Sequence, residues 1–160
     1  MEKISNNTIS ARTIVFAGLT AAAYFIATII LGPLAYGPLQ FRLSGLLKPL
    51  ALRHPFAAWG LAVGVGFANL FSPFGAWDFV IMPIITLLAA TICYKFRQFP
   101  IIALFVQALI ISIGVAVFPL GIGAGLPWIP TTITVFISES ILYIAGYFLL
   151  RKTPLWDSYN

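Results

Sequence analysis

An all-α integral membrane protein with six membrane-crossing helices is the fold class this sequence predicts, on three observations. Hydrophobic residues make up 61% of the 160 residues and charged residues only 8%, against roughly 25% charged in soluble domains. The apolar residues gather into runs long enough to cross a bilayer, which takes about 20 helical residues. Those runs do not alternate polar and apolar as barrel strands do, and a bilayer admits only helices or closed barrels.

The six segments follow from where the runs stop. The first, 11–31, ends at GPLAYGPL, whose prolines and glycines enforce a loop. Its apolar run is longer than the h-region of a signal peptide, about 7–15 residues, and reads as a retained helix. The second, 41–53, is short and holds Pro49. The third, 55–70, places Pro55 in its first turn, where no donor is needed. After the turn SPFGAW comes the fourth, 77–95. The fifth, 99–118, ends at FPLGIGAGLPWIP, and the sixth covers 130–150. No linker or internal repeat divides the chain, so 1–160 reads as one transmembrane domain.

Lys3, Arg12, Arg53, Lys95, Arg97, Arg151 and Lys152 then all fall on one side, and the opposite loops carry no lysine or arginine. By the positive-inside rule both termini are expected in the cytoplasm. The net charge of +5 reports this orientation, not a nucleic-acid partner. A lone Cys93 and a lone His54 argue against a disulfide, a metal centre or a cofactor. No nucleophile–base pair is evident, so an enzyme is not expected.

Arg42 and Lys48 remain, charged residues inside an apolar stretch. At a helical rise of about 1.5 Å per residue, Arg42, Glu139 and Gln107 lie about 15–18 Å above the cytoplasmic anchors, near the midplane. Asn69 and Asp78 come out higher, at about 22–25 Å. Charges at such depth cost on the order of 3 kcal/mol each and mark a site facing the bundle interior. An alternative is that Arg42 and Glu139 pair to pin two helices. Lys48, nearer the boundary, is expected to snorkel to the cytoplasmic surface. The second segment is too short to cross alone, so the 36–40 loop is expected to dip inward over an outward-open pocket. Tyr36, Phe41, Phe71, Phe74, Trp77 and Trp128 gather at the outer ends, as an interfacial belt or as stacking partners for a planar ligand. Ala17 and Ala21 form a small-residue face on the first helix, and Gly60 and Gly64 a GxxxG pair on the third, both suited to close helix packing.

The stretch YGPLQFRLSGLLKPLAL and the turn FANLFSPFGAWDFV resemble the QueT family over about residues 11–150. The resemblance implies a substrate-binding S-component of an energy-coupling factor (ECF) transporter in the bacterial cell membrane, working with a transmembrane coupling protein and two ATPase subunits. It implies uptake of queuosine precursors, with Ala17 and Ala21 similar to the patch by which S-components meet the coupling protein. For such a 7-deazaguanine, Glu139 suits the ring N–H and amino group, while Arg42, Gln107 or Asn69 can donate to its carbonyl. Asp78 could balance an aminomethyl cation. The alternatives are a proton-coupled carrier acting alone, with Glu139 or Asp78 as its proton site, and an S-component for another vitamin-like solute.

Overall fold

The computed structural model describes residues 10–37 and 40–157; Lys3, counted above among the basic anchors, lies outside them, as do positions 38 and 39 of the first loop. Helix α1 covers Ala11–Ile29, starts on a Ser10 cap whose side chain accepts from the Arg12 N–H, and is followed by a short 310 turn, Gly32–Ala35. A second 310 helix runs over Leu43–Leu52. Helix α2, Pro55–Asn69, is capped by the His54 side chain and carries proline in its first turn. Helix α3, Met82–Lys95, continues a π-helical stretch, Trp77–Ile81. Helix α4, Pro100–Val117, runs on into a second π stretch, Phe118–Gly123. Helix α5 is Trp128–Leu150, and a final turn, α6, is Pro154–Asp157.

Four of these helices are long and apolar enough to cross a membrane: Ala11–Ile29, Trp77–Lys95, Pro100–Gly123 and Trp128–Leu150. Their outward faces are apolar at helical spacing, for example Ile84 and Leu88 on α3, Leu109 and Ile113 on α4, and Ile133, Ile137 and Ile141 on α5. A soluble protein rarely exposes so continuous an apolar surface; hydrocarbon solvates it. The 15 residues of α2 rise only about 22 Å, and the 310 helix about 20 Å, each short of a core of about 30 Å.

The second segment differs most from expectation, being a 310 helix instead of an α-helix. It packs against α1, α2, α3, α4 and α5 at once, most extensively α5. Its residues repeat every three per turn, so Gly45, Lys48 and Ala51 stack in one row, and all three are buried. Contact with α5 is close enough to require glycine at position 146 and leaves a tight fit at position 45. A Cβ at Gly45 would lie 3.0 Å from the Leu142 Cβ, and one at Gly146 would fall on the Leu46 carbonyl. Gly146→Ala is therefore expected to part the 310 helix from α5, at about 1–3 kcal/mol for overpacking. A lowered melting temperature in mild detergent would register it, with Gly18→Ala, where an added Cβ meets nothing within 4 Å, as the unaffected control.

The two small-residue motifs meet each other. A Cβ on Gly60 would stand 2.6 Å from the Ala17 carbonyl oxygen, and one on Gly64 would stand 2.8 Å from that of Ala21. Much of the face expected to be open for a partner is thus covered by α2. What remains is a groove between α1 and α2, lined in part by Ala17, Gly18, Ala21 and Trp59.

Candidate functional site

The interior is polar in two places. The first is a latch at the end of the bundle where α2 gives way to the Trp77–Ile81 turn. Arg42, 3% exposed, precedes the 310 helix. Its Nε donates to the Ala35 carbonyl at 2.7 Å and its Nη1 to Asn69 Oδ1 at 3.2 Å. Its Nη2 lies 3.7 Å from Asp78 Oδ2, and its guanidinium sits 5.1 Å from the Tyr36 ring centroid. Asn69 Nδ2 donates to Asp78 Oδ1 at 3.0 Å and to the Asp78 carbonyl at 2.9 Å. The Ser72 hydroxyl donates to Asp78 Oδ2 and the Tyr36 hydroxyl to the Ala68 carbonyl. Asp78 is fully buried and already engaged by Asn69, Ser72 and Arg42. The sequence reading sets Asp78 toward a ligand cation; in the structure both of its carboxylate oxygens are engaged by the chain itself. The ion pair of Arg42 is likewise with Asp78 and not with Glu139.

The second region lies along the buried row of the 310 helix, facing α5. Lys48 is 2% exposed, with its Nζ 3.5 Å from the Thr86 hydroxyl and 5.1 Å from the Tyr24 ring centroid. It does not snorkel. Lys48 stands in the buried 310 row with Gly45 and Ala51, and Arg42 lies just before that helix in extended backbone. Both cations lie within electrostatic reach of Glu139, as does Tyr143 one turn further along α5. Position 45 stands beside that carboxylate, where an added Cβ would be 3.6 Å from Glu139 Oε2. The Thr28 and Ser44 hydroxyls pair at 2.7 Å between α1 and the 310 helix.

Several buried atoms lack a close hydrogen-bond partner: Arg42 Nη2, both amide atoms of Gln107 and of Gln40, and Glu139 Oε2 and Tyr143 Oη, which interact with each other at longer range. Buried polar groups in folded proteins are nearly always satisfied, and each orphan costs about 1–3 kcal/mol. Gln40 adds a second irregularity, a φ of 46° in the left-handed region that costs a non-glycine residue free energy and that gathers at functional sites. Of the sequence-derived candidates, Glu139, Gln107, Arg42, Asn69, Asp78 and Tyr36 are buried. Phe41, Trp77 and Trp128 instead turn outward, at 43%, 43% and 61% exposure. Trp77 stacks on Phe118 with centroids 6.3 Å apart, and Trp128 packs beside Gly121. Their exposure fits the interfacial belt better than a stacking platform. Gln40 and Tyr143 were not singled out from sequence, whereas Lys48 was, as an anchor at the cytoplasmic boundary. Only Tyr143 carried a positional signal, lying four residues from Glu139 on one helical face.

A helical membrane protein with ionisable and amide side chains gathered in its interior has the character of a solute transporter, because intramembrane polar residues are costly and mark pathways. The QueT transporter family model matches residues 14–153, and the chain belongs to that family. Neither a curated protein nor a solved structure matches it.

Proposed function

We propose that the chain is the substrate-capture subunit of an ECF-type importer, lying as one multi-pass transmembrane domain in the bacterial plasma membrane. It binds an uncharged 7-deazaguanine base from outside and releases it inward when a coupling protein and two ATPase subunits reorient the bundle. In this reading six segments are membrane-embedded, two of them too short to span alone, and both termini are cytoplasmic. Convergence of Arg53, Lys95, Arg97 and Arg151 at one end of the bundle supports that orientation.

The observation that carries the reading is the buried Glu139 carboxylate, whose Oε2 has no close hydrogen bond and which lies within electrostatic reach of Arg42 and Lys48. The ring N–H and exocyclic amino group of the base donate to Glu139. Its carbonyl accepts from the Gln107 or Gln40 amide, or from Arg42 Nη2. Asn69, Asp78 and Tyr36 hold Arg42 in place, and Phe41, Trp77 and Trp128 form the rim at the membrane surface. Two basic side chains, Arg42 and Lys48, and two acidic ones, Asp78 and Glu139, are buried in equal number. A neutral solute leaves this balance intact, whereas an aminomethyl cation adds an uncompensated charge in a low dielectric. The coupling protein docks along the α1–α2 groove that Ala17 and Ala21 line.

Uptake of a labelled 7-deazaguanine by cells carrying the chain is the test. ATP depletion is expected to abolish it, and tagged chain is expected to co-purify ATPase subunits. Uptake that survives ATP depletion and collapses with a protonophore would replace this reading with a proton-coupled carrier.

A further inference from the structure

Gln107 sits in the middle of α4 and is wholly buried, yet neither its amide oxygen nor its amide nitrogen has a hydrogen-bond partner. Ala103, Leu104, Ala108 and Ile111, its neighbours on the buried face of the helix, have no polar side-chain atom to offer it. Polar side chains inside a bilayer are costly, and leucine would fill this place without two buried orphans. Counted from the basic anchors, Gln107 stands ten residues above Arg97 and Glu139 twelve above Arg151. These are rises of about 15 and 18 Å, and α4 packs extensively on α5. The amide thus comes from the neighbouring helix at nearly the level of the Glu139 carboxylate.

An amide with both atoms vacant selects a particular partner. Arg42 can only donate and Glu139, ionised, can only accept. A glutamine needs an acceptor and a donor side by side, as when it grips the N7/N6 edge of adenine. In the base-binding reading proposed above, on which this assignment rests, Glu139 takes the ring N–H and amino group. Gln40 lies on Arg42's side: Gln40, Phe41 and Arg42 are 0%, 43% and 3% exposed, so the two polar side chains turn inward together. Both can therefore serve the carbonyl. That same carbonyl would satisfy only the nitrogen of Gln107 and strand its oxygen. The edge left over on a 7-deazaguanine is the ring N3 acceptor beside the pyrrole N9–H donor, and it matches the amide at both atoms.

We propose that Gln107 reads this N3/N9–H edge and thereby restricts the site to free bases. A ribose on N9 removes the donor and adds bulk where the amide stands, so nucleosides are rejected by chemistry and by shape.

Calorimetric titration of the purified full chain tests this, with 7-deazaguanine and its furan analogue as probes. The analogue carries a ring oxygen in place of the pyrrole N–H and keeps the carbonyl, ring N–H and amino group. Wild type is expected to bind it about tenfold or more weakly, because the Gln107 oxygen then faces a second acceptor. Gln107→Leu is expected to lose that discrimination while still preferring 7-deazaguanine to 7-deazahypoxanthine, which lacks the amino group that Glu139 accepts from. Its melting temperature is expected to match or exceed that of wild type, since two buried orphans are gone; a marked fall would make the amide a structural element and overturn the assignment. Discrimination that survives in Gln107→Leu would also overturn it. Equal binding of 7-deazaguanine and the furan analogue by wild type, with the preference over 7-deazahypoxanthine intact, would overturn the role of Gln107 alone. Binding of neither would overturn the base-binding reading as well.

Discussion

Asp78→Ala is expected to destabilise the protein by about 3–5 kcal/mol, the cost of removing one partner from a buried ion pair. It would strand the Arg42 guanidinium, which is 3% exposed, and would leave the Ser72 hydroxyl and one Asn69 N–H without their acceptor. The same loss would loosen the first loop, because Arg42 also holds the Ala35 carbonyl and the Tyr36 ring. Arg42→Met is expected to cost less, since Asp78 keeps its hydrogen bonds from Asn69 and Ser72. The pair Arg42→Met with Asp78→Leu is expected to recover much of the deficit, because removing both charges leaves neither stranded. Melting temperatures of the four proteins in one detergent complete the cycle. Equal effects of Asp78→Ala and the double variant would contradict the latch.

Much of this architecture was legible in the residues, and the failures have definite causes. Apolar run length located the four long spans within a few residues, because a bilayer permits little besides helix. The 310 helix was not legible: Pro49 and Gly45 weaken an α-helix but do not specify what replaces it. That one difference accounts for Lys48. With an α-helical turn it falls away from Gly45 and Ala51; with three residues per turn it stacks with them in the buried row. The π stretches before α3 and after α4 were also missed, although prolines mark them. Pro83 and Pro119 each lack an N–H and crowd the carbonyl four residues back, which widens the turn. Depth counting brought Arg42, Glu139 and Gln107 to one level, but could not tell that Arg42 turns to Asp78. Partner choice depends on rotamers and neighbouring elements, which spacing does not encode.

Glu139→Gln is expected to weaken base binding about 10- to 100-fold, the range for losing a charged hydrogen-bond acceptor. The neutral amide keeps one acceptor but presents an N–H toward the two donors of the base. This substitution also leaves Lys48 without its nearby anion, so folding must be separated from recognition. Lys48→Met with Glu139→Gln removes both charges and is expected to fold at close to the wild-type melting temperature while remaining weak in binding. Recovery of full affinity in that double variant would mean that Glu139 serves only to balance Lys48.

The central claim is that the Glu139 carboxylate reads the donor edge of a 7-deazaguanine. Its most direct test is calorimetric titration of the purified chain with 7-deazaguanine and with 7-deazahypoxanthine, which lacks only the exocyclic amino group. Wild type is expected to prefer the guanine analogue by about tenfold or more, the discrimination that follows from leaving a buried acceptor unpaired, and Glu139→Gln is expected to lose that preference. Equal affinities in the wild type, or a preference that survives Glu139→Gln, would contradict the account.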